Sequence, residues 1–178
     1  THNSSSAASD VYKRQRLGNP TVGALEARLT ALEEGAMCVA LSSGTSAVMY
    51  SLINIMSQGD NFVTANQLYG GTYTMFDNIL PEYGINSKKV DITDLEAVEA
   101  AIDEKTRAIY CETITNPGLV VADISALADI AHSKGIPLIV DATFTTSAIL
   151  KPFEYGADIV VYSLTKWMSG HGRVIAGA

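Results

Sequence analysis

Cysteine is scarce in this chain: Cys38 and Cys111 are the only two in 178 residues, with no CxxC pattern and no histidine nearby. That excludes a disulfide scaffold and leaves two reduced core thiols as the plain reading. The three histidines, His2, His132 and His171, are too scattered to suggest a metal site. Positive charge is also short. Twelve Lys and Arg stand against nineteen Asp and Glu, a net charge of -7, and no basic run exceeds Lys13-Arg14 or Lys88-Lys89. Nucleic acid is therefore not the expected partner. No apolar run approaches the roughly 20 residues that span a bilayer. No apolar stretch follows the polar opening, as a signal peptide would require. A cytoplasmic enzyme away from the membrane is the expectation. GxGxxG and the GKS or GKT of a P-loop are both missing, so the common nucleotide-binding fingerprints do not apply.

What is present suits a globular domain: 47% hydrophobic and 17% charged residues, with length enough for one substantial core. The first fifteen residues stand apart. They are polar and low in complexity, and positions 6–15 read like translated adapter or vector sequence, so 1–15 is expected to be a non-native or disordered leader. At the other end Val174-Ile175-Ala176-Gly177-Ala178 stops without a cap or polar tail. This reads as an internal piece of a longer protein, with 16–178 a large domain cut before its end.

From residue 19 the pattern alternates. Asn19-Pro20 is a helix start, an N-cap followed by a proline whose missing N–H costs nothing there. Val22, Leu25, Leu29 and Leu32 follow at helical spacing, and Gly35 can end the helix in a left-handed turn. Strands are predicted over 37–41, 61–65, 87–90, 107–112, 137–141 and 158–162. Helices are predicted over 47–56, 72–80, from a Thr93–Glu96 capping box to about 103, and over 124–134 behind Asp123. Near-continuous apolar strands alternating with helices indicate a three-layer αβα domain with a mostly parallel sheet.

In such sheets ligands sit beyond the carboxyl ends of the strands. The polar residues there are Ser42 to Ser46, Glu112 with Asn116, Asp141 with Thr143, and Ser163 with Lys166. Lys166 follows the buried run Asp158 to Tyr162, whose end offers desolvation that would free its amine as a nucleophile. Asp141 ends a similar run and could keep a pyridinium nitrogen protonated, or merely cap the next turn. Ser43-Gly44-Thr45 opens a helix after a strand, so its amides could bind an anion, though a plain turn would look the same. Ser163 and Thr165 could add hydroxyl donors. Tyr69 in a glycine-rich loop could stack on a planar ring or be an ordinary half-buried tyrosine. Asn116-Pro117 could aim an amide at a ring hydroxyl or be only a stiff turn. Together these residues suggest pyridoxal 5'-phosphate (PLP), held by Lys166 as a Schiff-base lysine.

Six segments carry a resemblance: Arg-Leu-Gly-Asn-Pro-Thr at 16–21, Ser-Ser-Gly at 42–44, Leu-Tyr-Gly-Gly-Thr at 68–72, Glu-Thr-Ile-Thr-Asn-Pro at 112–117, Val-Asp-Ala-Thr-Phe at 140–144, and Ser-Leu-Thr-Lys-Trp-Met-Ser-Gly-His-Gly at 163–172. In order and spacing they resemble the Cys/Met-metabolism PLP-dependent enzymes of transsulfuration, fold type I. The resemblance implies that Lys166 carries the cofactor and shuttles protons, Asp141 pairs with the pyridinium nitrogen, and Tyr69 stacks on the ring and assists elimination. It implies that Gly44 and Thr45 give amides to the phosphate, Ser163 and Thr165 add hydroxyls, and Asn116 lies near the ring hydroxyl. Arg16 would reach the phosphate of a neighbouring subunit, so a whole enzyme would be a homo-oligomer, dimer or tetramer.

Within the family the motifs look most like O-acetylhomoserine sulfhydrylases, which replace acetate at Cγ by sulfide or a thiol to give homocysteine or methionine. Methionine γ-lyases usually carry cysteine where this chain has Gly71. The alternatives are methionine γ-lyase, cystathionine γ-synthase and cystathionine γ-lyase; a reading of another class is a non-catalytic phosphate-binding α/β domain. The sequence departs from the family at Arg14, where a tyrosine is usual, at Ala142 for asparagine, at Ser147 for proline, and at Arg173. The arginine that holds the substrate carboxylate lies, in the family, beyond the residues present. The fragment alone is therefore expected to be inactive.

Overall fold

A computed structural model gives the three-dimensional structure and describes residues 19–178; the leader expected over 1–15, Arg14 and Arg16 lie outside the described residues. Two compact units divide the chain, 1–40 and 41–178. In the first, the Asn19 carboxamide accepts the Thr21 N–H at 2.9 Å and Pro20 opens α1, Pro20–Glu33. The left-handed turn comes at Glu34 (φ 56°), one residue before the expected Gly35, because the amides of both residues close on the Thr30 carbonyl. Of the apolar stripe only Leu29 is buried; Val22, Leu25 and Leu32 are exposed. Glu26 Oε1 accepts the Ala40 N–H at 2.9 Å and ties the helix to the segment that follows.

The second unit begins with α2 (Gly44–Ile53) and continues β1 (Asn61–Ala65), α3 (Gly70–Thr74), β2 (Asn86–Val90), α4 (Leu95–Ala101), β3 (Thr106–Glu112), α5 (Ile124–Ser133), β4 (Leu138–Asp141), the short α6 (Thr146–Ile149) and β5 (Ile159–Val161). The five strands form one parallel sheet in the order β2-β1-β3-β4-β5. The expected α/β architecture with a parallel sheet is present. The strands are apolar because they are buried: every residue of β1 and all but Arg107 of β3 are shielded from solvent. Phe62 on β1, Phe76 and Tyr110 on β3 stack edge to face at 4.7 and 5.1 Å. Such fully buried side chains contribute about 1.5–3 kcal/mol each, and the aromatic geometry adds about 0.5–1.5 kcal/mol per pair.

Three local expectations change. The helix predicted over 72–80 starts earlier as α3 and runs on as one π turn, Met75–Ile79, and a 3-10 turn, Leu80–Tyr83, where Pro81 cannot donate to a regular helix. The Thr93 capping box does not form. Asp94 caps α4 instead, accepting the Ala97 N–H at 3.0 Å, while the Thr93 hydroxyl turns back to Asp91 Oδ1 at 2.7 Å. The strand predicted over 37–41 is reduced to one bridge: Leu41 pairs antiparallel with Gly177, and Met37 and Val39 are exposed rather than buried.

That pairing matters for the site. The segment Ala176–Ala178 lies between Leu41 and the chain just after β5. Leu41 and Gly177 exchange backbone bonds of 2.8 and 2.9 Å, and Tyr162 and Ala178 exchange bonds of 2.8 and 3.1 Å. Polar residues at the opposite, amino ends of the strands are structural: Asp103 accepts from Lys88 Nζ at 2.6 Å and from Asn61 Nδ2 at 3.0 Å. Those bonds hold its carboxyl well below the usual carboxylate range, the Lys88 ammonium contributing most.

Candidate active site

Strand order reverses between β1 and β3: β2 is added on one side of β1, and the chain then crosses to place β3, β4 and β5 on the other. A crevice at the carboxyl ends of the strands beside such a reversal is the usual ligand site of an open parallel sheet. Here it is a cavity of about 680 Å³, lined by Ser43, Gly44, Thr45, Tyr69, Glu112, Asn116, Asp141, Ser163, Thr165 and Lys166, with Thr72, Thr143, Phe144 and Trp167 among the rest. The volume falls within the roughly 300–1,000 Å³ of small-molecule sites. All the expected site residues that are described therefore converge on one cavity.

One wall is the start of α2. Ser43 is its N-cap, and its hydroxyl accepts the Ser46 N–H at 3.1 Å, so this side chain is already engaged. The amides of Gly44 and Thr45 belong to the first turn, which has no intrahelical acceptors for them. Gly44 is required by space. A Cβ there would overlap the Ser163 side chain and stand 2.7 Å from its Cα. Gly177 is required from the other side, because a Cβ would run into the Ser43 carbonyl. Ser163 donates its N–H to Thr143 Oγ1 at 2.7 Å. The Thr165 hydroxyl, expected to face an anion, is engaged with Ala176: it lies 3.2 Å from the carbonyl and 3.1 Å from the amide.

The floor is made by two neighbouring strand ends. Glu112 and Asp141 are register partners on β3 and β4, so their side chains leave the sheet on the same face. Tyr110, two residues before Glu112, shares that face and donates its hydroxyl to Asp141 Oδ2 at 3.3 Å. Asp141 Oδ1 accepts the Thr143 N–H at 2.9 Å. Burial raises the Asp141 pKa, opposed by the hydrogen bonds of Thr143 and Tyr110. The Glu112 carboxylate bridges two loops, taking the Tyr69 N–H on Oε1 at 2.7 Å and the Asn116 N–H on Oε2 at 3.0 Å. Burial, with the Asp141 charge beside it, pushes Glu112 up to about 7 against those two bonds.

The rim is open. Tyr69 is 46% exposed, and Gly71 lies under its ring: a Cβ at 71 would stand 2.7 Å from Tyr69 Cε1. Asn116, in a cis peptide with Pro117, is exposed. Lys166 sits in the turn after β5, its N–H on the Ser163 carbonyl at 3.2 Å and its carbonyl accepting the Gly170 N–H at 3.1 Å. Its side chain lines the cavity but is exposed, so the desolvation expected from a buried strand end does not reach it in this structure. The strand ends at Val161, five residues short of Lys166.

Sequence reasoning named Glu112 and Thr143 as strand-end residues without giving either a part in the site. Two-residue alternation along β3 was the available signal, since it places Tyr110 and Glu112 on the face that Asp141 shares. Among the described residues no cluster of three or more His, Cys, Asp or Glu could hold a metal ion, and no helix is long and apolar enough to cross a membrane.

The donor set fits PLP on structural grounds. A cradle of helix-start amides at Gly44 and Thr45, kept open by a glycine that cannot carry a Cβ, suits a phosphate. A carboxylate on the floor and an amine on the rim suit a protonated ring nitrogen and an aldehyde. Comparison with known proteins agrees. A homocysteine synthase of Schizosaccharomyces pombe is 46% identical over 167 residues, 93% of this chain and 39% of the relative. An L-methionine gamma-lyase of Fusobacterium nucleatum is 44% identical over 93% of this chain and 42% of its own. Among solved structures, a proposed O-acetylhomoserine (thiol)-lyase of Campylobacter jejuni carrying a pyridoxyl-lysine phosphate matches with a TM-score of 0.89. It is 38% identical and covers 99% of this chain and 45% of its own. The chain thus spans about two fifths of the length of the curated relatives it matches. The sequence profile of Cys/Met metabolism PLP-dependent enzymes matches residues 1–178, and the chain belongs to that family.

Proposed function

We propose that this chain holds PLP in the cavity at the carboxyl ends of β1, β3, β4 and β5, and that the whole protein is a transsulfuration enzyme of the O-acetylhomoserine sulfhydrylase type. It would replace the acetate at Cγ of an O-acetylhomoserine-like substrate by sulfide or a thiol, giving homocysteine or methionine. The observation that carries this reading is the convergence of an amine, a carboxylate and a glycine-opened helix start on one cavity. The bound cofactor supplies the electron sink for carbanion chemistry. Lys166 Nζ would hold the cofactor by its aldehyde and, once released by the incoming substrate amine, would move a proton at the substrate α-carbon. Asp141 keeps the ring nitrogen protonated, with Thr143 and Tyr110 fixing its oxygens. Tyr69 covers the ring and assists departure of the leaving group, and Asn116 orients the ring hydroxyl. Gly44 and Thr45 would bind the phosphate through their amides and Ser163 would add its hydroxyl, while the hydroxyls of Ser43 and Thr165, engaged with Ser46 and Ala176, shape the cradle around it. Arg16 would complete a neighbouring subunit's phosphate site in a homo-oligomer. Residues 16–178 are the cofactor-binding part of a cytoplasmic enzyme, and 1–15 a leader.

A second reading, methionine γ-lyase, is favoured by the 44% identity to the Fusobacterium enzyme. The glycine at 71, where methionine γ-lyases usually carry cysteine, argues for the first.

The test is PLP titration of the full-length protein, then borohydride reduction and peptide mapping. A visible band and a reduced adduct on Lys166 are expected, and Lys166→Ala should lose the adduct while the fold remains. A reducible adduct that persists in Lys166→Ala would defeat the assignment. Assay with O-acetyl-L-homoserine and sulfide, against methionine alone, then separates replacement from elimination.

A further inference from the structure

The Glu112 carboxylate is 5% exposed, yet no cation is paired with it among the described contacts; it spends one oxygen on the Tyr69 amide and the other on the Asn116 amide. Those two residues lie in the loops after β1 and β3, the strands on either side of the reversal in strand order. Side chains of both loops line the cavity rim, and Glu112 also lines it from below. Neither loop has another tie of this kind at these amides. Tyr69 makes no side-chain cap to α3, and Asn116 is exposed. A buried carboxylate held by two backbone amides is a costly way to close a turn, since burial disfavours its charge. A neutral side chain would serve a merely structural role with less desolvation.

We infer that Glu112 is a positioning residue: it ties the loops of Tyr69 and Asn116 together across the crevice and so fixes the Tyr69 ring over the cofactor site. The inference rests on the PLP reading. It concerns where Tyr69 stands rather than any contact of Glu112 with substrate. Gly71 leaves room for this placement, because a Cβ there would meet the ring edge. A tie lost below the loop therefore moves the ring outward, toward the open rim.

Glu112→Gln tests it in the full-length holoenzyme. The carboxamide offers one acceptor and sets an NH2 donor against one of the two amides, so half of the clamp fails. The dissociation constant for PLP should rise about two- to tenfold, as expected when an aromatic stacking contact loosens. Misplacement on the scale of an ångström costs up to about 100-fold in rate, so kcat should fall by at least about tenfold, with KM within about threefold. The borohydride adduct on Lys166 should persist. In a double-mutant cycle Glu112→Gln should cost little once Tyr69→Ala is already present, because the ring that Glu112 places is then gone. If Glu112→Gln loses its cooperative melt, Glu112→Asp, which keeps the charge but is too short to span both amides, takes its place and should show the same pattern. Wild-type kcat and PLP affinity in the variant, or additive losses in the cycle, would overturn the inference. A wild-type protein with no reducible adduct at Lys166 would overturn the PLP reading and this inference with it.

Discussion

The ends of β3 and β4 carry the same kind of side chain at the same height on the same face, and they are used in opposite ways. Glu112 and Asp141 are register partners, and burial raises both acids. Glu112 turns both oxygens to backbone amides of neighbouring loops. Asp141 is held from its own strand end and from β3, by the Thr143 amide and the Tyr110 hydroxyl, and it faces the cavity. What separates them is the partner set. A carboxylate bound by two main-chain amides of different loops is a fastener. One bound by a local amide and a weak phenol retains capacity for a charged ligand.

The largest expected effect comes from removing the charge at Asp141. Asp141→Asn should cut kcat of the full-length enzyme by at least about 100-fold, since losing one partner of a buried charge pair costs about 3–5 kcal/mol. The Lys166 adduct should survive, and the visible band should shift as the ring nitrogen loses its proton. A kcat within threefold of wild type would erase the proposed difference between the two acids. Gly44→Ala comes next: its Cβ meets the Ser163 backbone, and overpacking of this kind costs about 1–3 kcal/mol. Thermal melts should show that loss, and PLP affinity should fall with it.

The acid on β3 also predicts a pH signature. Its pKa in the folded protein, about 7, lies above the ordinary carboxylate value, so the folded state holds a proton that the unfolded state has released. Stability is then greatest below about pH 4.5 on this account and declines as pH rises toward about 7. Asp141 on β4 is shifted in the same direction. Tyr110 and Cys111 on β3 titrate far above this window, and Tyr69 and Lys166 are the other ionisable groups around the cavity. Melts of the cofactor-free protein from pH 5 to 8 should show a decline that flattens in Glu112→Gln and keeps only the Asp141 share. An equal slope in both proteins would place the proton elsewhere. The smallest effect is expected from Tyr110→Phe, which keeps the aromatic stack and removes one hydroxyl, at about 0.5–1.5 kcal/mol.

Much of this arrangement is legible in the sequence because parallel strands advertise themselves. Buried on both faces, β1, β3 and β4 read as apolar runs, and the polar residues that stop them stand where a ligand would. That located Asp141, Lys166 and the Ser43–Thr45 turn without any coordinates. Other features depend on partners distant in sequence. Nothing near Thr165 indicates that its hydroxyl is taken by Ala176, and nothing near Glu112 indicates two amides 43 and 4 residues away. Local rules also competed with one another. Thr93 and Asp94 both suit an N-cap, and Asp91 settled the matter by taking the threonine hydroxyl. Apolar spacing along α1 suggested a buried stripe, of which only Leu29 is shielded. Periodicity records which residues want cover, and it does not record where the cover comes from.

The placement of Gly177 has a consequence for how the protein is made. The cradle at Gly44 is walled by Ser163 and backed by Gly177, yet 133 residues of chain separate the two glycines. Translation at about 5–20 residues per second means the helix start waits on the order of ten seconds for its last wall. During that interval the cradle stands open on the side that Gly177 later backs. Completion of the cradle is thus timed by a short antiparallel segment rather than by the strands that carry the chemistry.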